Sequence, residues 1–567
     1  MDLKSLIRHA KGDEPADLLL KNARVVNVLS GCVDETGVAL AGDYIVGLGH
    51  YPAREEIDLA GSFVAPGFID AHVHIESALV PPAEFARAVV PRGTTTVVTD
   101  PHEIANVLGL EGIRFMFESA KFGPLSMYVM ASSCVPATGL STNGAVLHGY
   151  DLFPLKSDPW VLGLAEVMNY PGVIDGDDSV LEKIGAFQDR VIDGHSPGLT
   201  GAALQAYIAA GIQSDHESTT PEEALEKLRL GMMVMIREGT VARDLAALVP
   251  IVTPGNQHRF CFCTDDCQPS DLVRHGGIDH AIRSAIALGM NPVTAIRLAT
   301  WNPAQYFRLH QRGAVTPGRR ADLVVFDDLE APRPRLVFRS GELVAKDGVM
   351  AVPRRPLSRT LRSTMNVAWE SVDFRIAADG RVARVIGVVP NRLVTEAVTA
   401  EPIIRDGQAF ADPARDLLKI AVIERHMASG AVGRGFVRGI GLREGALASS
   451  VAHDHHNLIV IGADDASMMT AARRVGVLHG GMVVALGGRV IAEVALPIGG
   501  LMSAEPVETV RAQVEGAVGA ARDLGSPLHD PFMAMSFLAL EVIPSLKLTD
   551  KGLVDVGQRA VVPLWVG

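Results

Sequence analysis

The sequence is poor in the features that mark exported, membrane-spanning or nucleic-acid-binding proteins. Five cysteines among 567 residues are too few for a disulfide framework. Three of them, Cys261, Cys263 and Cys267, cluster with a spacing unlike a paired zinc knuckle and are expected to be buried or near-site thiols. No stretch of about twenty apolar residues runs without polar interruption, so no membrane span is expected. The opening MDLKSLIRHAKGDEPADLLL lacks the apolar core and small-residue cleavage pattern of an export signal, and a cytoplasmic location is the expectation. Basic charge is lacking too: the formal net charge is -13 and no Lys/Arg cluster reverses it locally, which argues against a nucleic-acid partner. Low-complexity tracts and close internal repeats are also missing. These absences leave a small molecule as the expected partner.

What is present is length and ordinary globular chemistry, 48% apolar and 21% charged, enough for two or three domains. Residues 20–62 read as short β-segments, LLKNARVVNV, GVALAGDYIVGLG and REEIDLAGSFVAP, separated by glycine-bearing turns and resembling a small sandwich. From Gly67, strand-like runs alternate with helix-like ones to about residue 310. The strand candidates are Gly67–Ile75, Thr94–Asp100, Met127–Ser133, Val161–Asn169, Val191–Ser196, Ile212–Glu217, Met232–Glu238 and Arg259–Asp265. That number of strands closes a parallel barrel, and their near-continuous apolar character fits a sheet covered by helices. Helix candidates include Pro82–Val90, Leu199–Ala210 and Pro221–Leu230; the last has Thr220 as N-cap, Pro221 at the first helical position and Glu223 placed for reciprocal capping. Two more helices follow, the second opened by Asn291 and Pro292. Then ADLVVFDDL and PRLVFRSGELVAKDGVM return to β.

The predicted fold is therefore α/β: a (β/α)8 TIM-like metal-dependent hydrolase barrel over 66–310, with a small split β-sandwich-like domain from 1–65 plus 311–360. A C-terminal α+β domain is expected over 361–567, where RVARVIGVV and HHNLIVIGA read as strands and SMMTAARRVGVLHG and PVETVRAQVEGAVGAARDLG as helices.

His72 and His74 lie two apart at the end of the first barrel strand, so their side chains point to one face and can converge on one ion. Glu166, His195, His216 and Asp265 each fall at or near the polar end of a different predicted strand, and in a barrel those ends form one rim. Packing alone does not explain this, because Glu and Asp are seldom buried unless paired or bound to a cation. Imidazoles with carboxylates suit zinc, iron(II) or manganese(II). Two nearby cations need a bridging anion, and Glu166 is the candidate; an ion pair with a neighbouring arginine is its alternative. Asp265 can bind metal and also accept a proton from water.

FIDAHVHIES, the polar ends of strands four, five, six and eight, and the split β domain together resemble the amidohydrolase superfamily. More closely, DPHEIANV, GLAEVMNYPGV, DGHSPGL, SDHE, IREG and FCTDD, with VAHDHHNLIVIG and ALPIGG downstream, resemble bacterial adenine deaminases over most of the chain. The resemblance implies a binuclear centre of two divalent metals, Fe(II) or Mn(II) first and Zn(II) as a further choice, that hydrolyses adenine to hypoxanthine and ammonia. Carried over, His72 and His74 match the first-strand ligands, Glu166 the bridge, His195 and His216 the ligands of strands five and six, and Asp265 the last-strand aspartate. Many superfamily members carry a modified lysine on the fourth strand; GLAEVMN has none, which favours the deaminase branch over amidases of the dihydroorotase kind. A homodimer is the expected assembly.

In the implied reaction, hydroxide held by the cations attacks C6 of the purine and Asp265 passes the water's proton to the departing amine. Glu217, beside His216, is the leading donor to ring N1, against a structural role as a capping or salt-bridged carboxylate. Asp100 and His102 are expected behind the ligands or at a further metal. Asp266 either reads a purine nitrogen or orients Arg274. The run His453, Asp454, His455 and His456 precedes a strand, so its side chains cannot all share one ion. The resemblance implies instead that this segment helps enclose the substrate, with His456 and Asn457 as contacts. Two rivals remain: a superfamily enzyme acting on another nucleobase or a cyclic amide, and a non-enzymatic scaffold that kept the barrel.

Overall fold

The structure is a computed structural model that describes residues 1–567 except 122, 241, 355–360, 391 and 567. The barrel strands are β1 (Phe68–His74), β2 (Thr94–Thr99), β3 (Ser126–Ala131), β4 (Val161–Val167), β5 (Val191–Gly194), β6 (Ser214–Asp215), β7 (Met233–Arg237) and β8 (Phe260–Cys263). β1 to β5 pair in sequence order as parallel neighbours, and so do β6 to β8.

Two seams close the ring. Between β5 and β6, the Gln213 amide donates to the Ile192 carbonyl (2.9 Å) and the Gly194 amide to Ser214 Oγ (3.3 Å). Between β8 and β1, Asp70 accepts from the Thr264 amide (3.1 Å) and hydroxyl (2.5 Å), after which Asp265 and Asp266 pair with Val73 and His74. Every residue of β1, β2, β7 and β8 is buried, as expected for strands that meet water on neither face.

Each expected barrel strand is present, but Ile212–Glu217 contracts to Ser214–Asp215. The cause is local: Asp215 turns its carboxylate back to accept from the Ser196 amide and hydroxyl, the Glu217 amide, the Ser218 hydroxyl and Lys227. His216 and Glu217 are thereby lifted off the ladder. The helix Pro221–Arg229 makes only half of its expected reciprocal cap. Thr220 Oγ1 accepts from the Glu223 amide (3.3 Å), while the Glu223 carboxylate serves the amides of Gly198 and Thr219 and the Lys227 ammonium. Asn291 caps Pro292–Leu298 by accepting from the Thr294 amide (3.1 Å).

The β-segments that flank the barrel in sequence share one nine-stranded sheet, joined where Phe63–Pro66 pairs antiparallel with Leu323–Phe326. The sheet branches along Ala16–Asn27, whose first half pairs with Ala53–Asp58 and whose second half pairs with Phe63–Pro66. C-terminal to this, Val382–Val388, Leu418–Ile423, Val432–Arg438, Leu458–Gly462 and their neighbours form a second nine-stranded sheet, accompanied by helices Asp465–Val477 and Val507–Asp523. One apolar cluster runs from Val73, Leu79 and Phe85 of the barrel into Ile386, Leu447, Met502 and Val507, so the C-terminal part is packed on the barrel. The expected boundary at 360 lies outside the described residues.

The barrel floor is fixed by Arg312. Its buried guanidinium pairs with Asp322 and donates to Tyr128 Oη (3.2 Å), Ser126 Oγ (3.0 Å) and Thr96 Oγ1 (3.4 Å), close to the N-terminal ends of β2 and β3. Removing one partner of such a pair leaves a buried charge uncompensated. Arg312→Met is expected to lower unfolding free energy by about 3–5 kcal/mol in denaturant titrations at fixed metal loading. A loss under about 1 kcal/mol would show the pair to be dispensable.

Candidate metal centre

The site assembles at the C-terminal ends of the strands. His72 and His74 point inward from β1 with their Nε2 atoms 3.1 Å apart. The Asp100 carbonyl accepts from His74 Nδ1 (3.0 Å), which orients the ring so that Nε2 faces the centre. Glu166 ends β4, its carbonyl held by Ser133 Oγ (2.5 Å) and Cys134 Sγ (3.2 Å). Its carboxylate divides the site: Oε1 lies 3.2 Å from His74 Nε2 and 3.6 Å from both His72 Nε2 and His102 Nδ1, whereas Oε2 lies 2.7 Å from His195 Nδ1 and 3.3 Å from His216 Nε2. Asp265 Oδ1 faces His74 Nε2 (3.2 Å) and His72 Nε2 (3.6 Å). The His216 ring stacks on His72 at 4.2 Å. All of these side chains are buried.

The six ligands expected from the sequence therefore converge. Asp100 and His102 join them: His102 Nδ1 hydrogen-bonds Asp100 Oδ2 (2.9 Å), and Ser132 Oγ donates to Asp100 Oδ1 (2.8 Å). Glu217 Oε1 is 3.6 Å from His216 Nε2 and 3.8 Å from His195 Nδ1. Asp266 accepts from Ser77 Oγ at the rim. The alternative in which Asp266 orients Arg274 is corrected, since Arg274 instead pairs with Glu515 at 2.9 Å on the surface.

The expected substrate contacts His456 and Asn457 are committed elsewhere. His456 bonds through Nε2 to Glu103 and accepts the Ala452 amide at Nδ1 (3.2 Å). Asn457 accepts from the Arg425 amide (3.2 Å) and donates to the Thr142 carbonyl (2.9 Å) and Asp550 (3.3 Å), which engages both its amide hydrogens and its oxygen. Cys261 and Cys263 are buried in β8, their thiols pushed up by burial.

Two residues that the motifs leave unassigned complete the cluster. Arg237, at the end of β7, pairs with Glu217 and with Asp265 Oδ2 (3.0 Å), and its Nε donates to Asp244 (3.1 Å). A buried arginine ending an apolar strand was visible in IREG, though not its partners. Glu103, next to His102, receives His453 and His456 from the far end of the chain.

Electrostatics prepares the donors. Burial alone would raise the Glu166 carboxyl, but hydrogen bonds from His195, His216 and His74 hold it well below the usual range. Asp265 is held low against burial by His72, His74 and Arg237. Glu217 is held low against burial by Arg237, His195 and His216. His72 is pushed down to about 4 by burial and by the neighbouring His216. Against the effect of burial, Glu166 raises His216 to about 9, and Asp265 and Glu166 raise His74. A cation fits this set: the donors are imidazole and carboxylate, and among the described residues His195 Nε2 is buried without a partner.

Comparison with known proteins agrees along the whole chain. Residues 63–348 match the model of the amidohydrolase family, and residues 392–560 match the adenine deaminase C-terminal domain. An adenine deaminase of Desulfatibacillum aliphaticivorans is 50% identical over 554 residues, 97% of each chain. One of Cereibacter sphaeroides is 49% identical over 99% of each, and one of Methanothrix thermoacetophila is 48% identical over the full length of both.

Because His216 and His74 hold protons that a cation displaces, metal affinity should rise with pH, the His216 contribution ending near pH 9, by up to about tenfold per unit for each proton displaced. Calorimetric titration of metal-free protein with Mn(II) at pH 7, in buffers of different ionisation heat, should count at least about one proton released per chain. Buffer-independent heats would contradict the assigned cluster.

Proposed function

The chain belongs to the adenine deaminases of the amidohydrolase family, and on that premise we propose how its buried centre performs their reaction, the hydrolysis of adenine to hypoxanthine and ammonia. The observation that carries the reading is the divided carboxylate of Glu166, one oxygen facing His72 and His74 and the other facing His195 and His216. Members of this family commonly bind divalent metals. We assign His72, His74, Glu166, His195, His216 and Asp265 to two of them, with Fe(II) or Mn(II) preferred and Zn(II) compatible with the same nitrogen and oxygen donors. When bound, such ions supply the Lewis acidity that makes water nucleophilic near neutral pH.

The protein's own groups then manage two protons. Adenine gains oxygen at C6 and loses the amine, while the attacking water gives one proton to ring N1 and one to the leaving nitrogen. Asp265 takes the second of these to the amine. Glu217 takes the first to N1; Arg237 keeps it ionised at rest, so it must accept that proton before delivering it. Arg237 touches both carboxylates and sets their separation. Asp266 is assigned to a purine nitrogen at the rim. The proposal includes a split β domain of 1–65 plus 311–360, supported by the shared nine-stranded sheet, a barrel of 66–310 and a C-terminal domain of 361–567. It places the enzyme in the cytoplasm as a homodimer; among the described residues no helix is long and apolar enough to cross a membrane.

Asp265→Asn keeps the size of the side chain and removes its basicity, so kcat should fall by at least about a hundredfold. Metal content measured on the same sample separates a lost proton carrier from a lost ion. Near-normal turnover with metal retained would remove Asp265 from this role. The metal-loaded protein should also release ammonia from adenine far faster than from adenosine, because residues 453–456 close on Glu103 and His102 at the barrel mouth. A spectrophotometric assay with separate ammonia detection, run against adenosine, cytosine, guanine and cyclic amides, decides this. Inert adenine beside an active member of that panel would keep the metal centre and reject the substrate.

A further inference from the structure

The segment that crosses the barrel mouth carries one carboxylate oxygen with nothing to bind. Asp454 is 4% exposed, and among the described residues its Oδ2 is buried without a hydrogen-bond partner. Its other oxygen lies 3.5 Å from His102 Nε2, and the opposite nitrogen of that ring lies 3.6 Å from Glu166 Oε1. One imidazole ring therefore separates Asp454 from the carboxylate at the heart of the centre. Its neighbours do not use it: His453 and His456 flank it but both give their N–H groups to Glu103, and the His453 ring stacks on Phe537 at 4.5 Å. The segment is anchored on both sides, so Asp454 is held in place by its neighbours' contacts as well as by His102.

A carboxylate is an acceptor only, and an acceptor buried without a donor is costly unless a ligand supplies one. The reacting C6 edge of a purine must face Glu166, Asp265 and Glu217. Its opposite edge, the five-membered ring, then faces outward toward the segment at the mouth. A free purine base carries an N–H on that ring, whereas a nucleoside carries a sugar in its place.

We propose that Asp454 is a specificity residue that accepts the imidazole-ring N–H of the free base, making the missing N–H a reason, besides bulk, why nucleosides are refused. The inference rests on the adenine reading of the same site and names the group that selects base over nucleoside. His102 and Glu103 act as positioning residues, His102 beside the carboxylate and Glu103 through the two histidines that flank it.

The test uses the full-length, metal-loaded enzyme with adenine and 9-methyladenine, which keeps the C6 edge and lacks the N–H. Wild type should reject 9-methyladenine by about 10^4 in kcat/KM, as a site built around one hydrogen bond does. Asp454→Asn should raise KM for adenine and weaken binding of the product hypoxanthine by at least about tenfold, with metal content unchanged. Asp454→Ala, which also makes room, should shrink the preference for adenine over 9-methyladenine by at least about a hundredfold. A merely structural role would lower both substrates together and leave that ratio alone. Wild-type acceptance of 9-methyladenine within about tenfold of adenine, or an unchanged ratio in Asp454→Ala, overturns the proposal. Wild type that turns over neither compound while carrying its metals rejects the adenine reading itself, a separate outcome.

Discussion

A single buried carboxylate, Glu166, sets the terms for the rest of the structure. Removing an ionised carboxylate from water is costly unless charge and hydrogen bonds are returned to it. Glu166 recovers them from five imidazoles that arrive on β1, after β2, and at or just beyond the ends of β5 and β6. Those donors reach two different oxygens only if the strand ends stand level around the ring. The two closing seams then acquire a chemical purpose. Asp70 ties β8 to β1 through Thr264, and the Gln213 and Gly194 amides tie β5 to β6, so that His72, His195 and His216 arrive at one depth.

The eighth strand meets the same demand by a different route. After Thr264 the chain bends across to pair with β1, and Asp265 takes a left-handed backbone angle of φ 57° to do so. Such a conformation is unfavourable for a residue with a side chain and persists only where the surroundings fix it. Here they do: Arg237 holds one oxygen of Asp265 while His72 and His74 face the other. Arg237 also offsets the surplus of negative charge that Glu217, Asp265 and Asp244 would otherwise place in a buried site. The cationic side is thus built partly from protein, which keeps the Glu217 and Asp265 carboxylates ionised.

Much of this was legible in the sequence, for reasons that can be named. Strands covered on both faces are apolar nearly throughout, so their polar last residues stand out, and His72, His74, Glu166, His195, His216 and Asp265 were readable as one rim. The readable part ended where side chains, and not strand periodicity, decide the path. Asp215 collects its donors from two loops and a helix, and no local pattern announces that β6 will shrink to two residues. Glu103 sits on a helix whose partners lie about 350 residues away, so nothing near it marks it as shared. His456 and Asn457 were placed at the mouth by resemblance, but the atoms they present were already spent on Glu103, Thr142 and Asp550.

These long-range contacts change what the C-terminal part is. A module that merely followed the barrel would need only a linker. This one is joined to the barrel loops by Thr142 to Asp550, by Thr138 and Ser141 to Glu541, and by Glu103 to two histidines, in addition to the common apolar core. Most of these polar groups are buried, so separating the two parts would expose apolar surface and strand paired charges together. The C-terminal part is therefore packed against the cluster at the strand ends, through Glu103 and His102. On the proposed reading, a metal centre at the end of an open barrel can admit substrates of many sizes, and here the segment that carries Asp454 lies directly against His102. On the proposed reading, chemistry is set by strand ends whose pattern the sequence shows openly, while the limit on what reaches them comes from a distant stretch of chain that only the folded contacts bring into view.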